Sequence, residues 1–247
     1  MKLAFLTFTG KVGKSTLCNT FAYPRMQEAT IIRMETINDS GLAGAVREIT
    51  LKGRELGKLE TELAKTKDAI VDVGASNVEA FILALNSQFE SHMAVDYFVV
   101  PIKADAKAQI EMGEAMKTLQ ALHAMGIDAD RIKVLFNRLP ADADVAEECK
   151  TLVAMHKKMP IFTLNLDAVI HESEAFSALA TAKKSYLEIL SDPLNYREEM
   201  NKIPMEKEKD RTEMVKLIRA QGTVKMLDRE MQAAWNALFG QVMQCSN

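Results

Sequence analysis

Cysteine is scarce in this chain. Cys18, Cys149 and Cys245 lie far apart, match no metal-ligand spacing and read as reduced structural thiols, not as a disulfide framework. Histidine is scarce too, and His92, His123 and His156 fall on helix patterns with no cysteine partners, so nothing supports a histidine-built metal centre. No apolar run approaches the roughly 18 residues that a membrane-spanning helix needs. The apolar start, Met1 to Phe8, is one strand long and leads into a loop of glycine and lysine instead of a small-residue cleavage site. A cytoplasmic protein with no membrane span is expected. An excess of one charge is also missing: a formal net charge of -3 excludes a molecule that is basic throughout, while a local basic face stays open. Repeats, low-complexity tracts, and helix-turn-helix or zinc signatures are absent, so sequence-specific reading of DNA is not expected here.

What is present is an ordinary globular balance, 48% apolar and 26% charged, in a length that suits one α/β domain with an appendage or two small domains. Apolar runs alternate with longer helical patterns. Strands are predicted at Leu3 to Phe8, Thr30 to Met34, Ala69 to Val73, Tyr97 to Pro101 and Ile132 to Phe136, with a sixth at Ile161 to Thr163. Helix-length segments lie between them, such as Ala106 to Met125 with Met112, Met116, Leu119 and Leu122 on one face. This alternation predicts a doubly wound, mostly parallel α/β sheet of about six or more strands. The register changes near Asp192-Pro193, which divides the chain into a domain over 1–191 and a helical C-terminal extension over 192–247. That extension opens on a polar connector reaching Arg211 and carries nine basic and nine acidic side chains. It closes with Leu227, Met231, Ala234, Trp235, Leu238 and Val242 at three- and four-residue steps. Such a face is buried against the core, a partner or a second subunit.

The most specific signal is Phe8-Thr9-Gly10-Lys11-Val12-Gly13-Lys14-Ser15-Thr16, between a strand and a helix. A strict phosphate-loop pattern asks for glycine five residues before Gly13, where Phe8 stands. The physics survives that lapse. Gly10 and Gly13 permit tight turns that aim backbone N–H groups into an anion-sized hollow, with the helix dipole behind it. Lys14 reaches for the β- and γ-phosphates, and the Ser15 hydroxyl suits Mg²⁺. Gly10, Lys11, Val12, Gly13, Lys14, Ser15 and Thr16 are therefore the expected phosphate-binding residues. Asp72, ending the run Ala69 to Val71 and followed by Val73-Gly74, is placed to hold Mg²⁺ through water. Asn137, beside Arg138 at the end of the fifth strand, offers a donor and an acceptor to the edge of adenine. Leu139 stands where a guanine-reading Asp would be, which favours ATP.

Through Gly10, Gly13, Lys14 and Ser15 the loop resembles the ParA/MinD family of deviant P-loop ATPases, over about residues 1–190. It departs at Thr9, where the family has its signature lysine, and at Lys11, where it has glycine. The short plasmid-stability StbB type, whose loop also lacks that lysine, is the better match. The resemblance implies ATP and Mg²⁺ as ligands, ATP-gated homodimerisation, slow hydrolysis and a role in plasmid partition or positioning with a small DNA-binding adaptor. It implies Lys14, Asp72 and Glu35 as catalytic residues, Glu35 orienting the attacking water with Asp39 as the alternative. Lys11 takes over the task of the missing lysine, reaching its own phosphates or the neighbour's. Asn137 and Arg138 meet the base. Nonspecific DNA binding would draw on Lys103, Lys107, Lys157, Lys158, Lys183 and Lys184, which are otherwise a solvated face. Pro160 to Phe162 and then His171 to Phe176 resemble the family's late strand and following helix, with His171 at a helix start or on the surface. Two other readings remain open: a nucleotide-bound scaffold without significant turnover, and a small-molecule kinase or ligase-type enzyme of the same fold, such as dethiobiotin synthetase.

Overall fold

The computed structural model describes residues 1–34, 47–52, 55–87, 91–105 and 107–244. Glu35, Asp39 and Cys245 lie outside the described residues. Seven strands form one sheet: β1 (Lys2–Phe5), β2 (Thr30–Met34), β3 (Glu48–Leu51), β4 (Ala69–Val73), β5 (Tyr97–Lys103), β6 (Ile132–Leu139) and β7 (Val169–His171). Every pairing among them is parallel, in the order β3-β2-β4-β1-β5-β6-β7. The chain is thus an α/β protein with helices on both faces of its sheet.

The helices are α1 (Lys14–Leu17), α2 (Leu56–Lys65), α3 (Val78–Ser87), α4 (Gln109–Ala124), α5 (Val145–Glu148), α6 (Lys150–Lys158), α7 (Ala175–Ala182), α8 (Tyr186–Ser191), α9 (Tyr196–Asn201) and α10 (Glu208–Gln244). Alternate strand residues feed two cores, as the two-residue period of a strand requires. Ala4, Ile32, Val71, Val100 and Phe136 pack with α2, α3, α4 and α6 on one face. Leu3, Phe5, Ile31, Ile70 and Leu135 pack on the other with the helix after β1, with α7 and α8, and with α10.

The polar connector expected to reach Arg211 is shorter than the charge pattern suggested. It contains α9 and gives way to a 37-residue helix at Glu208. The face predicted for the C-terminal extension faces inward: Leu227, Met231, Ala234, Trp235 and Leu238 are all buried, joined by Phe239. Trp235 stacks obliquely on Phe21 and Phe239, with ring centroids 5.4 Å and 4.6 Å away. Val242 lies where side chains are not described. Among the described residues no helix is long and apolar enough to cross a membrane.

Two strand expectations change. Ile161 to Thr163 forms only an isolated bridge, Lys133 to Thr163, and the seventh position is taken by β7. The short strand β3 at the opposite edge was not anticipated. Cys18 and Cys149 are free and buried. Burial pushes the Cys149 thiol up to about 12.

Candidate functional site

β1 is the middle strand of the sheet, so the loop after it lies at the C-terminal edge where β4 and β6 also end. In a doubly wound sheet this is where the strand order reverses and a crevice opens. The loop is pinned from two sides. The Leu6 N–H donates to the Val99 carbonyl of β5 at 3.1 Å, and the Phe8 N–H to the buried Thr118 hydroxyl of α4, also at 3.1 Å.

Within the loop the left-handed residues are Lys11 (φ 61°) and Gly13 (φ 89°). This corrects the sequence expectation, which placed the special turns at Gly10 and Gly13. At Gly13 glycine is also required by space, because a Cβ would come 3.0 Å from Asn137 Nδ2. That same nitrogen donates to the Val12 carbonyl at 2.8 Å. Asn137 therefore ties β6 to the loop.

Lys14 opens α1 and folds back over the loop. Its ammonium donates to the Thr9 carbonyl at 2.8 Å and to the Thr7 carbonyl at 3.3 Å. Burial lowers its pKa below the ordinary lysine value, and the charge of Asp72 works against that. Only one turn is α-helical. It continues as a π-helix over Cys18–Ala22 and a 3₁₀ turn over Tyr23–Arg25, with Pro24 in that turn. A π segment at a helix often marks a functional site. Ser15 and Thr16 are exposed beside the loop.

Asp72, on β4 next to β1, is 1% exposed. Its Oδ2 accepts from Arg33 Nη1 at 2.7 Å, while Oδ1 is buried with no hydrogen-bond partner among the described residues. Arg33 also donates to the Asn19 side chain at 3.0 Å and to Glu48. A hydroxyl on the loop helix and an unsatisfied carboxylate oxygen on the neighbouring strand are the hard oxygen donors that Mg²⁺ prefers. The chemistry of Ser15 and Asp72 is thus compatible with Mg²⁺, although Asp72 is buried and lines neither of the cavities beside the loop.

Two openings meet here. A cavity of about 510 Å³ is lined by Gly10, Lys11, Lys14, Ser15, Gly74 and Arg138. A second, of about 680 Å³, extends between Asn137, the segment after β7 and α10. They share the lining residues Gly13, Thr16 and Arg138, so they are adjacent. The smaller opening lies over a lysine-bearing glycine loop, with the buried Asp72 on the adjoining strand. The chain has an α/β fold with this loop at the C-terminal edge of a seven-stranded, all-parallel sheet.

No known family model matches the sequence, and no curated protein matches it. The fold is similar to solved structures of three kinds. Cyanothece McdA without nucleotide is 14% identical over 72% of this chain and 88% of that chain, with a TM-score of 0.47. The MinC:MinD cell division complex of Aquifex aeolicus is 11% identical over 88% and 93%, with a TM-score of 0.47. A putative plasmid partition protein of Borrelia burgdorferi B31, bound to AMPPNP, is 13% identical over 88% and 97%, with a TM-score of 0.46. Likeness at this level carries no argument about chemistry, which follows from the site's own residues.

The structure brings Gly10, Lys11, Gly13, Lys14, Ser15, Thr16, Asn137 and Arg138 around two adjacent cavities. Val12 is buried behind the loop, with its carbonyl bonded to Asn137. His171, expected at a helix start or on the surface, ends β7 with its side chain part-exposed, and its backbone N–H and ring both meet Glu230 of α10. The surface lysines are partly neutralised: Lys103 pairs with Asp105 at 2.9 Å and Lys184 with Glu188 at 3.6 Å. Arg33 was missed by sequence reasoning. A basic residue inside an otherwise apolar strand is nonetheless a signal, since a buried charge calls for a counter-charge.

Proposed function

We propose that this chain is an ATP-binding switch of the ParA/MinD kind, which hydrolyses ATP slowly and dimerises while ATP is bound. What carries the reading is Lys14, held over the loop by the Thr7 and Thr9 carbonyls and lining a cavity of about 510 Å³. Those carbonyls are weak partners for an ammonium, so phosphate oxygens compete well for it. Loop N–H groups and Lys14 bind the β- and γ-phosphates, and Lys11 supplies further positive charge from its exposed position. Ser15 and Asp72 hold Mg²⁺, which when bound neutralises phosphate charge. Glu35 orients the attacking water. The switch serves partition or positioning of a plasmid in the cytoplasm, with a small DNA-binding adaptor and weak nonspecific contact to DNA.

A second reading, a nucleotide-bound scaffold without significant turnover, draws support from Thr9 and from the Arg33–Asp72 pair, which already satisfies one carboxylate oxygen. Sedimentation with and without ATP, alongside phosphate release with and without DNA, separates the two. Slow turnover and an ATP-dependent dimer support the switch. A tight ATP complex with no phosphate release supports the scaffold.

A further inference from the structure

The larger cavity has a wall that the phosphate loop does not explain. Beyond Gly13 and Thr16 its apolar lining comes from Leu17 of α1, Ile170 of β7, the half-exposed Phe176 of α7, and Leu227 and Met231 of α10. Leu227 and Met231 stand one helical turn apart on the same face, both buried. The C-terminal extension therefore lines the larger cavity, beside the N-terminal loop.

That turn of α10 is clamped to both arms of the site. Asp228 accepts from Arg25 Nη2 through its carbonyl at 2.8 Å and its Oδ1 at 3.0 Å, and the Tyr186 hydroxyl donates to the same Oδ1 at 3.2 Å. Arg25 closes the helix after the loop, where its Nη1 donates to the Phe21 carbonyl at 2.9 Å. Glu230 meets both the backbone N–H and the ring of His171 at the end of β7. An apolar surface fixed in this way before a ligand arrives loses little freedom on binding.

We propose that the turn of α10 from Leu227 to Met231 is the wall against which the base of the bound nucleotide lies, so that the C-terminal helix is part of the nucleotide site. This rests on the nucleotide reading above. The two cavities adjoin at the shared residues Gly13, Thr16 and Arg138, which puts the larger one next to a triphosphate held by Lys14 and within reach of its ribose and base. The ligand class is a nucleoside triphosphate with a planar base, held by its ring face. Burying that face on methyl and thioether groups adds affinity that a bare polyphosphate cannot collect.

The test compares calorimetric affinity for Mg²⁺-ATP and for inorganic tripolyphosphate with Mg²⁺, in the full chain and in Leu227→Phe, which adds bulk at that wall. The parent is expected to bind ATP at least tenfold tighter than tripolyphosphate. Leu227→Phe should lose at least tenfold in ATP affinity while its tripolyphosphate affinity stays within twofold. Unchanged ATP affinity in the folded variant overturns the proposal. Should the variant not fold, photolabelling of the parent with 8-azido-ATP decides: label in the peptide holding residues 227–231 supports the wall, and label confined elsewhere overturns it. If neither ATP nor tripolyphosphate binds the parent, the nucleotide reading falls and takes this inference with it. ATP binding with label only elsewhere removes the inference alone.

Discussion

Arg33 Nη1 lies 2.7 Å from Asp72 Oδ2, and the two residues stand opposite each other in the β2–β4 register. The carboxylate proposed to hold magnesium is thus already paired inside the protein. Burial, the largest influence on the guanidinium, lowers its pKa, but Glu48 and Asp72 more than offset this and hold it above its ordinary value.

Arg33→Met should therefore be costly, because it strands a buried carboxylate. Removing one partner of a buried pair costs about 3–5 kcal/mol. Arg33→Met/Asp72→Leu, which removes both charges, should recover most of that loss. Denaturant unfolding of the two single variants and the double checks this. A double variant no more stable than Arg33→Met would show that the Asn19 and Glu48 contacts matter more than the pair.

The lowered pKa of Lys14 gives a pH dependence. Because its folded value lies below the ordinary 10.5, the unfolded chain binds more protons in the window between the two. Stability of the nucleotide-free protein thus gains from this group as pH rises through that window. The same deprotonation removes the charge that faces phosphate, so ATP affinity should fall there. Calorimetry from about pH 8 to 10.5 should show the decline in the parent and none in Lys14→Arg, whose guanidinium does not titrate. A flat parent profile would contradict the role of the Lys14 charge.

Lys11 pays for its place in the loop with a φ of 61°. A left-handed conformation costs a residue with a Cβ roughly 1–2 kcal/mol, so Lys11→Gly should be more stable than Lys11→Ala. Both should bind ATP nearly as the parent does yet lose ATP-driven dimerisation and turnover. Sedimentation and steady-state phosphate release check this; a fully active Lys11→Ala would leave the loop without a substitute for the missing lysine.

Removing residues 223–247 should unfold or aggregate the protein. Leu227, Met231, Trp235, Leu238 and Phe239 are all buried, each contributing about 1.5–3 kcal/mol. Together they match the whole stability of a typical domain, about 5–15 kcal/mol. A truncated form that stays soluble with an unchanged melting temperature would contradict the shared core.

Much of this was legible. Thr30 to Met34 and Ala69 to Val73 were marked as strands by their runs of apolar residues, because strands of a parallel sheet are buried on both faces. β3 escaped because a four-residue edge strand with Glu48 and Thr50 shows no such run. β7 escaped because Ile161 and Phe162 are more apolar than Val169 to His171, although the latter pair with β6. In the site, loop, lysine and carboxylate could be read from spacing. Arg33 needed the β2–β4 register, and the α10 wall needed contacts between residues about 200 apart in sequence, such as Arg25 with Asp228.

The most direct measurement is a calorimetric titration of Mg²⁺-ATP into the parent and into Lys14→Ala, with circular dichroism to establish that both are folded. The account predicts a saturable complex in the parent and at least a hundredfold loss of affinity in the variant. A folded Lys14→Ala that binds ATP as tightly as the parent would contradict it.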